Sequence, residues 1–300
     1  MLLHGLFILV CLIWGTSFIF MKYAGAAFGP LGIGGFRLLL GAATLGALWV
    51  AGVRRWPLTR CDVPAVALLA AVGYAVPFYI QPYVIMQVEH HAGHGSAFGG
   101  MMVALVPLLT IVVSVPLLRA VPTVRQCVGV GGGLVCIAML FREELNLGVP
   151  LPTLLLGAVT PLCYACANTY VKRRFHHAPP MAVALVALLA GGLMLTPLSL
   201  RYEAVEVDLH FARAAASMLA LGVLCTGVAG YLFYTIIRSQ GPLFAGMVAY
   251  IIPCVALGVA HLAGEQLAAG QLAAMAGIFV MVALVQVRPG VPASPTTAEG

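Results

Sequence analysis

The sequence predicts an all-α integral membrane protein with ten transmembrane helices arranged as two inverted five-helix repeats. Three observations predict it. Of 300 residues, 62% are hydrophobic and only 8% are charged, and the mean hydropathy is +1.05. Soluble domains carry roughly 25% charged residues, so a water-soluble fold could not cover this much apolar surface, and the lipid bilayer is the expected solvent and partner. Apolar runs of about twenty residues, the length a helix needs to cross a bilayer, recur along the chain. The period-2 alternation of a membrane barrel is absent. Finally, residues 95–107 and 241–253 are two copies of one segment: Gly95/Gly241, Phe98/Phe244, Gly100/Gly246, Met101/Met247 and Pro107/Pro253 recur at a constant offset of 146. Matched apolar halves with Gly and Pro at corresponding places are the pattern of internally repeated membrane proteins.

The expected spans are 4–22, 30–52, 63–86, 94–118, 123–141, 151–171, 181–200, 214–237, 242–263 and 270–287. Proline or charge marks each break: Pro30, Arg54-Arg55, His90-His91, Arg119, Arg142-Glu143-Glu144, Lys172-Arg173-Arg174, Arg201, Arg238-Ser239-Gln240-Gly241 and Glu265. Residues 1–22 read as the first span rather than a cleaved leader, because no Lys or Arg precedes the apolar run and Lys22 follows it. The first repeat is residues 1–145 and the second 146–288. Residues 289–300, rich in Pro, Ser, Thr and Ala, read as a disordered tail.

With the N-terminus inside, ten Lys and Arg fall in inner segments (Arg54, Arg55, Arg60, Arg119, Arg125, Lys172, Arg173, Arg174, Arg238, Arg288). Four fall outside (Lys22, Arg142, Arg201, Arg213). This bias places both termini in the cytoplasm, in a cytoplasmic membrane. Five spans per half is an odd number, so the second half enters from the opposite side and the repeat is inverted. The net charge of +6 therefore reports orientation and not nucleic-acid binding. Seven of the eight cysteines lie in apolar spans and Cys61 at a loop edge, which is no secreted disulfide framework. Cys163-x-x-Cys166 reads as small-residue packing one helical turn apart. Gly129-Val130-Gly131-Gly132-Gly133 lacks the following Lys-Ser/Thr of a phosphate loop. No cofactor and no resident metal are expected.

The chain resembles the drug/metabolite transporter superfamily, specifically the EamA-type permeases, over about residues 4–287. Trp14-Gly15-Thr16-Ser17 looks like the family's opening Trp-Gly motif. Pro30 followed by Phe36-Arg37 looks like its second-span pattern, and the Pro107 and Pro253 segments look like its fourth and ninth spans. His261-Leu262-Ala263-Gly264-Glu265 followed by Gly277 looks like its Gly-Glu turn before the last helix. Two features depart from the pattern. Arg119 stands where Glu265 would have its counterpart, and residues 89–94 are rich in His. The resemblance implies a secondary transporter that moves a small-molecule substrate, such as an amino acid or related metabolite, without ATP, with efflux as the direction. A monomer or a homodimer fits.

Several residues stand out as candidates. Arg37 lies inside the second span, where a cation costs roughly 2.5–3.5 kcal/mol to insert and should face the interior. It reads either as a fixed charge for a substrate carboxylate or phosphate, or as half of a structural pair. Trp14 and Tyr250 are candidate substrate-binding aromatics, each with an apolar face and a polar edge. Pro107 and Pro253 each remove a helix hydrogen bond and, with Gly100 and Gly246, are hinge or pathway candidates. Glu265 reads as a cap for the last helix, a partner for a cation, or a group that titrates during transport. His94 is the other coupling candidate. Glu89, His90, His91 and His94 read as a solvated turn, a metal site or a pH-sensitive gate. A membrane-embedded enzyme or a channel built on those four residues is the alternative function, and a passive scaffold a further rival.

Overall fold

Lipid leaves a spanning chain only one economical way to satisfy its backbone, hydrogen bonding within each segment, and every regular element among the described residues is helical. The computed structural model describes residues 2–52, 58–59, 62–119, 121–176, 178–246 and 248–286. Arg54, Arg55, Arg60, Cys61, Met247, Arg288 and the tail lie outside the described residues. Helices α1 (Leu2–Ala24), α2 (Pro30–Gly52) and α3 (Val63–Leu69) come first. α3 continues through a π-helical segment, Ala70–Ala75, into α4 (Val76–Ala92). Next come α5 (Gly95–Val103), α6 (Val106–Leu118), α7 (Val124–Asn146), α8 (Leu151–Arg174) and α9 (Pro180–Tyr202). α10 (Phe211–Leu219) runs through a second π-helical segment, Ala220–Val228, into α11 (Ala229–Gly246). α12 (Val248–Leu262) and α13 (Ala269–Gln286) complete the chain.

Seven of these helical stretches are long and apolar enough to cross a membrane. The pair α5 and α6, bent by 40°, makes an eighth. Val248–Leu262 and Ala269–Val285 are apolar but shorter. Many large apolar side chains face outward, among them Ile8, Leu12, Leu134, Val135, Leu155 and Leu193, as a lipid-facing surface requires. The chain is thus a multi-pass membrane protein.

Two expected boundaries differ from the structure. The polar run at Arg142–Glu144 does not end α7, which continues to Asn146 with Glu144 fully buried. Nor does the run at Arg238–Gly241 break the chain. α11 passes through it to Gly246, and the Ser239 hydroxyl donates back to the Thr235 carbonyl at 2.9 Å. In both places polarity was read as loop, whereas the backbone ladder tolerates polar side chains and simply continues. Pro107 sits in the first turn of α6, where the missing N–H costs no helical bond. The bend lies just before it, where Ala104 N–H and Leu105 N–H bond to Met101 and Met102. Pro253 lies inside α12, so the two prolines sit at different places in their helices.

The first-half helices pack on the second half: α1 on α10, α11 and α12, α2 on α9 and on Ala220–Val228, and α7 on α13. One apolar core gathers Phe98, Met101, Leu105, Leu140, Leu154 and Ile278. A second gathers Val10, Phe18, Met21, Ile33, Leu221 and Ile236. Where α2 meets the second π-segment the contact is tight. A Cβ on Gly41 would stand 2.5 Å from the Thr226 side chain, and one on Gly222 would collide with Leu40. This close approach is what puts Arg37 within reach of Thr226.

Candidate functional site

Arg37 is 7% exposed. Its Nε donates to Thr226 Oγ1 at 2.9 Å, its Nη1 faces Met21 Sδ at 3.4 Å, and its guanidinium lies 4.7 Å from the centre of the Phe78 ring. Among the described residues no carboxylate lies within ion-pair distance of it. A guanidinium has five N–H donors, so most of its donor capacity is uncommitted. Tyr164 of α8 and Cys225 are close enough to feel its charge.

Trp14 reaches the same place from α1. Its indole Nε1 donates to the Cys225 carbonyl at 2.7 Å, one residue before Thr226. Both acceptors belong to the π-segment Ala220–Val228, and the Thr226 hydroxyl donates to the carbonyl of Leu221, five residues back. π-Turns inside helices frequently mark functional sites. Aromatic contacts then close a ring around the site. Trp14 packs on Phe233 at 4.9 Å, and Phe233 on Tyr234 at 6.2 Å. Tyr234 packs in the same cluster as Tyr74, and Tyr74 packs on Phe78 at 6.0 Å, beneath Arg37. Tyr74 belongs to the other π-segment, Ala70–Ala75. Tyr74, Tyr164 and Tyr234 are half-buried.

Tyr250 is not brought to this ring. On α12, Val248, Ile252 and Ala256 share the face that packs with the Trp14 cluster. Tyr250 and Leu257 pack with the Phe98 and Met101 cluster. At 100° per residue, Tyr250 points away from Ile252. Gly100 is a packing contact, since a Cβ there would collide with the Ala256 side chain. Gly246 is the last described residue of α11.

The remaining candidates gather where α1 ends. Glu265 is 2% exposed. It accepts from Lys22 Nζ at 2.9 Å, from the Ser96 hydroxyl at 2.7 Å and from the Ala97 N–H at 3.0 Å. It therefore pairs with a cation, as one expectation held, but it caps α5 and not the last helix. α13 is served instead by Gln271, whose Oε1 accepts from Ala268 N–H at 2.7 Å. Lys22 also pairs with Glu89 at 2.8 Å. The turn at 89–94 is not one cluster. His90 and His91 are exposed, whereas His94 is 1% exposed, with Nε2 lying 3.0 Å from both Glu144 oxygens. Among the described residues no group of three His, Cys, Asp or Glu is placed to hold a metal ion. Lys22, Glu144, Gln271 and Thr226 were not singled out from the sequence. Their partners lie 50 to 243 residues away, and no local pattern links them.

Comparison with known proteins follows the same direction. The model of the EamA-like transporter family matches residues 1–142 and 151–287. The protein named Uncharacterized transporter YoaV, from Bacillus subtilis (strain 168), is 26% identical over 254 residues, 83% of this chain and 84% of its own. Protein PagO of Salmonella typhimurium (strain LT2) is 25% identical over 259 residues, 85% of this chain and 82% of its own. A solved crystal structure covering 94% of this chain and 95% of its own, with a TM-score of 0.61 at 19% identity, shares the fold. With the family model matched across both halves of the sequence, this chain belongs to the EamA-like transporter family.

Proposed function

We propose that the protein is a secondary transporter of the cytoplasmic membrane that moves a small carboxylate-bearing metabolite, an amino acid or a related compound, by alternating access. The observation that carries this reading is Arg37, a buried cation with uncommitted donors and no carboxylate partner among the described residues, set in a ring of aromatic side chains. A buried charge is costly unless something compensates it, and a substrate carboxylate does so in the bidentate geometry that guanidinium favours. Trp14 and the tyrosines give the rest of the substrate an apolar wall with polar edges.

In this reading the ten helical segments form two inverted five-helix halves, residues 1–145 and 146–288. Both termini are cytoplasmic, as the Lys and Arg bias favours, and the flow is outward, as the family resemblance suggests. The bend ahead of Pro107 and the matching positions Gly246 and Pro253 of the second half are the hinge positions, and rocking of the halves exposes Arg37 to each side in turn.

The test compares the extracellular metabolites of cells producing the wild type with those of cells producing Arg37→Ala at equal membrane levels. One or a few acidic or zwitterionic metabolites are expected to accumulate outside only with the wild type. Equal accumulation with the variant contradicts the site. No accumulation with either contradicts export.

A further inference from the structure

The cluster formed by His94, Glu144 and Gln271 joins three helical regions and takes no part in the Arg37 site. His94 lies in the turn between α4 and α5, Glu144 in the last turns of α7, and Gln271 at the start of α13. All three are at most 1% exposed.

One hydrogen bond fixes a proton on the imidazole. The Ala92 carbonyl, 2.9 Å from His94 Nδ1, can only accept, so Nδ1 carries a proton. Gln271 Oε1 accepts from Ala268, which turns the amide Nε2 toward Glu144 Oε1 at 2.7 Å and toward His94 Nε2 at 2.8 Å. His94 Nε2 in turn faces both carboxylate oxygens at 3.0 Å. Gln271 Nε2 can only donate, so a bare His94 Nε2 would accept from it, whereas a bare Nε2 against an ionised carboxylate would be repulsive. One proton shared within the His94–Glu144 pair removes that repulsion and leaves no uncompensated buried charge.

We propose that His94 and Glu144, sharing one proton, form with Gln271 a proton-binding latch that holds this end of the bundle closed while the proton is bound. The groups around the latch are accounted for on every side. Glu265, from the turn before α13, adds negative charge but is itself held by Lys22 of α1, Ser96 and Ala97. Glu89 of α4 binds Lys22 and the Gly95 N–H. Glu143 lies against Gly270 on the neighbouring turn. Burial disfavours the imidazolium, but the hydrogen bond and charge of Glu144, with the Ala92 carbonyl and Glu265, outweigh it and hold His94 above the ordinary histidine value.

The sign follows from linkage. In the open, wet state the imidazole reverts to its ordinary value near pH ~6.5. Below that value both states hold the proton, and opening does not depend on pH. Between the ordinary and the raised value only the closed state holds it, so opening increases by up to about tenfold per pH unit. A proton bound in one state of this end and released in the other is a means of coupling protons to substrate movement. That extension rests on the transporter reading, whereas the latch itself does not.

The test needs no substrate, so it fails or succeeds apart from the transport assay. Amide hydrogen exchange of residues 92–97 and 265–271 is followed from about pH 6 to about pH 9 in the full-length protein in lipid, corrected for intrinsic rates. The wild type is expected to lose protection with the linkage slope above the ordinary histidine value. Glu144→Gln, whose neutral amide needs no proton beside it, is expected to lose that slope. The same slope in Glu144→Gln, or none in the wild type, overturns the latch. Should Glu144→Gln fail to fold, the ring nitrogens of His94 are read by 15N spectroscopy in the wild-type protein in bilayers. Near pH ~7 the pair is expected to hold one proton, on Nε2 or on the Glu144 carboxyl, the latter read by 13C spectroscopy; a bare Nε2 beside an ionised Glu144 there overturns the proposal.

Discussion

Two regions of this molecule bury charge in opposite ways. Where α1 ends, every buried charge described above meets its opposite: Lys22 lies between Glu265 and Glu89, and Glu144 faces His94. At the centre, Arg37 meets a hydroxyl, a sulfur and an aromatic face, and no carboxylate among the described residues. Buried pairs lose heavily when one partner is removed, because the survivor is stranded. Removing an unpaired cation strands no opposite charge. The paired region holds helices together, and in the proposed function the unpaired one receives a charge from outside.

That contrast can be broken by mutation. The largest expected effect is Arg37→Ala, which should lower transport at least about tenfold, the loss of roughly 1.4 kcal/mol or more from a charged hydrogen bond to substrate, while thermal stability in detergent stays near wild type. Glu144→Ala should do the reverse and cost about 3 kcal/mol of stability, because the Gln271 amide and His94 lose a buried acceptor; thermal unfolding followed by tryptophan fluorescence reads it. Trp14→Phe removes the bond to the Cys225 carbonyl but keeps the apolar ring, and should cost about 1 kcal/mol of stability with a modest loss of transport. Glu89→Gln should be the mildest change, under about 1 kcal/mol, because Glu89 is 31% exposed and Lys22 retains Glu265. A large destabilisation by Arg37→Ala, or a negligible one by Glu144→Ala, would reverse the contrast.

The sequence shows its helices plainly because lipid demands long apolar runs, and it shows Arg37 because a charge inside such a run stands out. It shows less where polarity is ambiguous. Arg142-Glu143-Glu144 reads as a loop, yet Glu144 is a buried helical residue. The residues 89–94 read as one His-rich turn, yet His94 alone turns inward. The π-segments are illegible from composition. Ala70–Ala75 and Ala220–Val228 have ordinary apolar sequences, and only their packing against α9 and α2 accompanies the extra residue in the turn. Thr226 becomes a functional candidate only once α2 lies against it, through glycines whose role is spatial.

The central claim, that the Arg37 charge receives a substrate carboxylate, is tested most directly by counterflow in proteoliposomes. The exported acid found by metabolite profiling would be compared with its uncharged methyl ester, in the wild type and in Arg37→Lys and Arg37→Ala. The wild type is expected to prefer the acid, Arg37→Lys to keep part of that preference, and Arg37→Ala to lose it. The same preference for the acid in Arg37→Ala would contradict the account.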